Sequence, residues 1–325
     1  MRNQSYPKLI SLCTGFILIG LILYFSDVPF SVCIKSLLQI NIKYFFILLS
    51  LNIFLYYFSS LRWALILSTA NTIKTIPKDF FFYYTCLANF SSTFFLNTIG
   101  DASVKITSLN LEHNIPINKS SYVVIICLLL NCIILLTQAV SSIFYGFKIL
   151  PSNYSFILNF IILLLVLTLF RNYHYKIFRF IKILLSHIFY IFKKLSFWKN
   201  NSNSESLFMN IAHTMDEKTA VKSIFYSFCI YYLNLLFYYT IAVSLNISIS
   251  LIPFFLLYPI VFLISAIGIT PSSLGVAELG WMGVLMLEGV SKEKAVIFMI
   301  NQRLIGIAFV FIITLLSFIF YHLRR

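Results

Sequence analysis

Residues 270–281 read TPSSLGVAELGW and lie between two long apolar segments. Hydropathy marks this depth as membrane, yet the stretch holds a proline, two serines, two glycines and a carboxylate, Glu278. Backbone this irregular is tolerated inside a bilayer only where protein buries it or water reaches it. A carboxylate at that depth points to a functional site. A second, weaker interruption covers residues 97–105, NTIGDASVK. It also breaks an apolar run, with Gly100, and sets an acid, Asp101, just beyond.

The rest of the chain agrees with that class. Of 325 residues, 60% are hydrophobic and only 10% charged, where soluble domains carry about a quarter. The composition implies an all-α polytopic membrane protein with a single transmembrane domain over residues 1–325. It divides into a first half (1–170), a basic segment (171–222) and a second half (223–325). The net charge of +14 could suggest nucleic acid. Basic loops kept on the cytoplasmic side, against anionic lipid, account for it better, and no nucleic-acid partner is expected. The six cysteines are scattered and form no CxxC pair, so neither a disulfide framework nor a zinc site is supported.

Eight stretches are long enough to approach the roughly 20 residues that cross a bilayer. They are 9–25, 44–61, 80–99, 121–147, 154–170, 223–245, 251–269 and 295–321. The first follows Arg2 and Lys8 and lacks a small-residue cleavage site, so it is read as an uncleaved helix. Arg62 and Trp63 close the second as an interfacial anchor pair. Within 171–222, nine Lys/Arg stand against three acids. Lys176, Arg179, Lys182, Ser186, His187, Tyr190 and Lys193 make one polar stripe at helical spacing. Such a stripe suits either a helix lying in the interface or an extension of the preceding span.

If all eight stretches cross from a cytoplasmic N-terminus, the basic segment falls outside, against the positive-inside rule. If each glycine-interrupted stretch instead turns back as a re-entrant hairpin, most of the 24 basic residues fall inside. Both termini are then cytoplasmic. The two hairpins enter from opposite faces, giving an inverted repeat of the kind that builds midplane sites on broken helices.

Pro271 suits a helix start, and Ser272 and Ser273 can satisfy its free N–H groups. The helix beyond sets Glu278, Trp281 and Leu285 on one side. A charge at the bilayer centre costs roughly 3 kcal/mol, so Glu278 needs a partner, and Arg303 in the last span is the natural one. The pair could be structural or could line a polar cavity for a charged head group. In the first interruption, Gly100 permits tight backbone, Asp101 suits an N-cap, and Lys105 follows one turn on; an ordinary capped loop would look the same. Asn97 and Asn89 are polar enough to line a path, though polar residues in membrane helices also serve packing. Pro253 and Pro259 are expected to kink the seventh span. No Walker loop, GxSxG or HExxH occurs, the histidines lie far apart, and no cofactor or metal is expected.

These residues resemble the flippase-like transmembrane family that includes the membrane half of lysylphosphatidylglycerol synthases and related bacterial and archaeal membrane proteins. Arg62-Trp63 resembles its Arg-Trp near the end of an early helix. Gly100, Asp101 and Lys105 resemble its first turn, with Asn97 where proline is usual. Pro271, Gly275 and Glu278 match its Pro-x-x-x-Gly-x-x-Glu turn, and Arg303 its following arginine. The resemblance implies a plasma (inner) membrane protein that moves a lipid or a polyprenyl-linked sugar between leaflets. The synthases' soluble aminoacyl-transferase domain has no counterpart before Arg325, so lysyl-lipid synthesis by this chain alone is not expected.

A lipid translocase is therefore the leading expectation, with a membrane lipid or a polyprenyl-phosphate-linked substrate as partner. Its site is expected from Glu278, Arg303, Asp101, Lys105, Gly100, Pro271, Ser272, Ser273, Gly275 and Asn97. The alternatives are a membrane-embedded transferase on such a lipid and a non-transporting accessory subunit of envelope biosynthesis.

Overall fold

The computed structural model describes residues 29–69, 76–94, 97–193, 216–267 and 273–324. Ten helices fill these ranges, and no strand occurs among the described residues. They are α1 (Phe30–Leu38), α2 (Ile42–Thr69), α3 (Lys78–Phe94), α4 (Asn97–His113) and α5 (Ile117–Gly146). The second series is α6 (Ser152–Lys193), α7 (Glu217–Ser244), α8 (Leu251–Ile267), α9 (Val276–Leu287) and α10 (Lys292–Leu323). The expected first span, 9–25, lies outside the described residues.

Five stretches are long and apolar enough to cross a bilayer: Ile42–Thr69, Ile117–Gly146, Ser152–Tyr173, Glu217–Ser244 and Lys292–Leu323. Their outward faces carry large apolar side chains, such as Ile161, Leu164, Phe311 and Phe320, exposed by half or more. Only 17% of the most apolar window in Ser152–Tyr173 is buried within the protein. Apolar surface on this scale requires a partner, and for helices of this length the partner is lipid.

Of the expected spans 80–99 and 251–269, residues 95–96 and 268–269 lie outside the described residues, and α3 and α8 cover 80–94 and 251–267. α3 and α8 have 17 residues each, about 25 Å at 1.5 Å per residue, against a hydrocarbon core of about 30 Å. Each is followed by a second helix that packs on it, α4 on α3 and α9 on α8. Gly100 sets the closeness of the first pair, because a Cβ there would lie 2.9 Å from the Ser92 Cα and N. α8 continues through Pro259 as one helix.

The halves share a packing plan. α2 lies along α7; α3 packs on α10 as α8 packs on α5; α4 meets α5 as α9 meets α10. Each helical hairpin also has its own apolar cluster. One gathers Trp63, Phe80, Phe81, Leu109 and Ile126, the other Phe254, Tyr258, Trp281, Leu285 and Phe298. Residues in left-handed backbone end several helices. Asn246 (φ 55°) follows α7 and Gly289 (φ 77°) follows α9. There the Ile247 N–H bonds the Ala242 carbonyl and the Val290 N–H the Leu285 carbonyl, both at about 3 Å, closing the last turn.

The polar stripe of the basic segment follows the apolar span across a kink at which two helical pieces meet. α6 runs on to Lys193, with a break in helical geometry at Tyr173 (φ −131°, ψ 17°). Just before the break, Arg171 forms an exposed ion pair with Glu217 at 3.1 Å, and Asp216 caps α7 through the Thr219 N–H.

Candidate functional site

Two ion pairs stand at the two helical hairpins. On α4, Lys105 follows Asp101 by four residues, so both share one face. Lys105 Nζ lies 2.7 Å from Asp101 Oδ1 and 2.9 Å from Oδ2. Asp101 is not the helix cap expected of it. α4 begins four residues earlier, at Asn97, so Asp101 lies in the second turn and its carboxylate turns to the side chain one turn on. Lys105 is buried (side chain 6% exposed) while Asp101 keeps 20%. The ammonium lies 5.8 Å from the centroid of the Trp63 ring, a favourable place for a cation.

The second pair joins α9 to α10. Arg303 Nε donates to Glu278 Oε1 at 2.9 Å, the partnership expected from the cost of a lone intramembrane acid. Glu278 Oε2 accepts the Gly275 N–H at 2.7 Å. Glu278 therefore closes back on its own helix start, satisfying an N–H that the first turn leaves free. Gly275 has φ +85°, a conformation that disfavours any side chain. Ser273, at φ 54°, donates its hydroxyl to the Ser265 carbonyl at 2.7 Å, tying the turn back to α8. Trp281, on the Glu278 face, stacks on Phe254 at 5.4 Å and meets Tyr238 at 5.0 Å.

Exposure within the two pairs is opposite. Glu278 is 1% exposed and Arg303 22%, so the second pair offers its base while the first offers its acid. Asp101 and Lys105 bond to each other and to neither Glu278 nor Arg303. Pro271 and Ser272 lie outside the described residues. Asn97 opens α4, and Asn89 bonds back to the Thr85 carbonyl within α3.

Arg62 departs from its expected place. The interface was the expected home of Arg62-Trp63, yet Arg62 is 3% and Trp63 1% exposed. Arg62 Nη1 donates to Asn131 Oδ1 at 2.5 Å and to Ser227 Oγ at 2.6 Å. The guanidinium thus joins α2 to α5 and α7 inside the bundle. The only hint in the sequence was a pair of polar residues, Asn131 and Ser227, inside apolar runs.

Beside this core, α2, α3 and α10 enclose an apolar groove of about 570 Å³. Phe54, Tyr57, Phe81 and Phe320 line it, and Lys78 and the Asp79–Arg324 pair, at 2.6 Å, stand at its rim.

The family model for the lysylphosphatidylglycerol synthase transmembrane region matches residues 9–314, nearly the whole chain. The protein belongs to that family. It is thus a multi-pass integral membrane protein of a lipid-related family, and Arg62-Trp63, both ion pairs and the Gly275 turn all fall within the matched residues. No curated protein and no solved structure was found to match the chain.

Proposed function

We propose that the protein is a lipid translocase of the plasma membrane. It moves a phospholipid or a polyprenyl-phosphate-linked lipid between leaflets in envelope biosynthesis. The observation that carries this is the opposite exposure of two ion pairs, each at one of the two helical hairpins. Charges held within a bilayer are costly and mark a path for polar cargo. Asp101 attracts the cationic part of a head group and Arg303 its phosphate. Lys105 and Glu278, both buried, hold those two side chains in place. The apolar groove at α2, α3 and α10 accommodates hydrocarbon while Lys78 and Arg324 stand where a head group would sit.

In this scheme α3–α4 and α8–α9 are re-entrant hairpins entering from opposite faces, within an inverted repeat of eight membrane elements. The equivalent packing of α3 on α10 and α8 on α5 supports such a repeat. The termini and segment 171–222 face the cytoplasm, where the segment's basic side chains meet anionic lipid.

The test is leaflet accessibility of a fluorescent phospholipid in liposomes carrying the wild type, Asp101→Asn or Arg303→Ala. Wild-type transfer lost in both variants is expected; equal transfer by all three rejects the site. A tag at residue 205 is expected to label only from the cytoplasmic face, and labelling from outside rejects the hairpin topology.

A further inference from the structure

Asp101 grips Lys105 with both carboxylate oxygens, which leaves Arg62 without an ionic partner. Among the described residues no carboxylate lies within 4 Å of its guanidinium. The carboxylate that acts on it electrostatically is that same Asp101. Arg62, Lys105 and Asp101 together carry one uncancelled positive charge in a buried place. Arg62 Nη1 donates to the neutral oxygens of Asn131 and Ser227, the neutral Cys127 thiol also neighbours the guanidinium, and Arg62 Nε is buried without a hydrogen-bond partner. Trp63 Nε1, whose ring lies 5.8 Å from Lys105 Nζ, is also a buried donor without an acceptor. Buried donors are nearly always satisfied, and a buried charge is nearly always compensated.

We propose that Arg62, Lys105 and Trp63 form an internal anion subsite for the phosphate ester of a lipid head group. A phosphodiester brings the one negative charge the cluster lacks and enough oxygens for Arg62 Nε, Lys105 Nζ and Trp63 Nε1. The planar fork of arginine suits phosphate oxygens better than a point charge does. Entry is from the side of Asp101, the most exposed member. As the phosphate takes Lys105, the Asp101 carboxylate is released toward a cationic group on the same head group. The lipid identity of this ester rests on the translocase proposal; the anion requirement does not.

The experiment is equilibrium binding to the full-length protein in detergent. The probes are dihexanoyl phosphatidylglycerol, dihexanoylglycerol and inorganic phosphate. Wild type is expected to bind the phospholipid and not the neutral glycerolipid. Arg62→Gln and Lys105→Gln are each expected to weaken binding by about tenfold or more, the loss of one charge-assisted bond. Trp63→Phe keeps the ring and removes only the N–H, so it tests the site even if Arg62→Gln does not fold; it is expected to weaken binding by about threefold. Unchanged binding in folded Lys105→Gln and Trp63→Phe overturns the subsite. Inorganic phosphate binding as tightly as the phospholipid overturns its assignment to lipid. Unchanged binding here, with transfer still lost in Arg303→Ala, removes the subsite and leaves translocation standing. Weakened binding with transfer unaffected in Arg303→Ala does the reverse.

Discussion

Removing one member of the Glu278–Arg303 pair is expected to cost more from one side than from the other. In Arg303→Leu, Glu278 stays behind fully buried, with one oxygen on the Gly275 N–H and the other facing nothing. Breaking a buried pair in this way costs about 3–5 kcal/mol, and the complete burial of Glu278 puts the value toward the upper end. In Glu278→Gln, the amide oxygen can accept from Gly275 or from Arg303 but not from both. One charge-assisted bond is lost, about 1.5–3 kcal/mol, while Arg303, 22% exposed, keeps part of its solvation. The expected order of stability is wild type, then Glu278→Gln, then Arg303→Leu. The double variant should lie above the additive value by about 2 kcal/mol, since neither charge is then left alone. Denaturation in mixed micelles, followed by far-UV circular dichroism, measures all four proteins. Strict additivity, or Glu278→Gln proving the worse single variant, would refute the assignment of a buried acid held by a partly exposed base.

Gly100→Ala is expected to destabilise by about 1–3 kcal/mol, because its Cβ meets Ser92 backbone at 2.9 Å and backbone cannot step aside. Gly283→Ala in α9, where a Cβ meets nothing within 4 Å, should instead stabilise by about 0.5–1 kcal/mol; the same denaturation series checks both, and matching signs would contradict the tight α3–α4 approach. Gln138 is fully buried and neither of its side-chain heteroatoms has a partner. Gln138→Met should therefore leave the unfolding midpoint unchanged or raise it, and a clear fall would mean that the amide has a partner.

How far the sequence revealed the site depended on how local each interaction is. Lys105 and Asp101 are one turn apart, so their pairing follows from helical spacing alone. Glu278 and Arg303 are separated by 25 residues, yet the cost of a bare charge in a bilayer leaves so few partners that the pair could be named in advance. Arg62 had no such guide. Its bonded oxygens lie 69 and 165 residues away in sequence, and their meeting depends on how α2, α5 and α7 cross. At the end of an apolar run, an arginine followed by tryptophan looks like an interfacial anchor, and only packing reveals that both side chains are buried between helices. Asp101 misled for a smaller reason. Its helix starts at Asn97, inside a segment whose glycine suggested a loop, but Gly100 serves close packing on α3 and not a turn.

The shared packing plan of the two halves was hidden for a related reason. Helix contacts depend on length, on small residues at crossings and on apolar faces, and many sequences satisfy those requirements. Charged residues are under a different constraint, because each must match what it faces. The first half carries acid and base on one helix, one turn apart, and adds Arg62 from α2. The second divides them between α9 and α10 and turns the acid inward to close its own helix start. Similar scaffolds thus present opposite charges, Asp101 from one hairpin and Arg303 from the other. A cargo with both a phosphate and a cationic group can engage Asp101 and Arg303 with different atoms of one head group, whereas a cargo of single charge can engage only one of these two side chains. Comparing transfer of a zwitterionic with a singly anionic phospholipid reads this directly. Faster transfer of the zwitterionic lipid, reduced to the anionic rate by Asp101→Asn, is the expected result, and equal rates in the wild type would refute the division of roles.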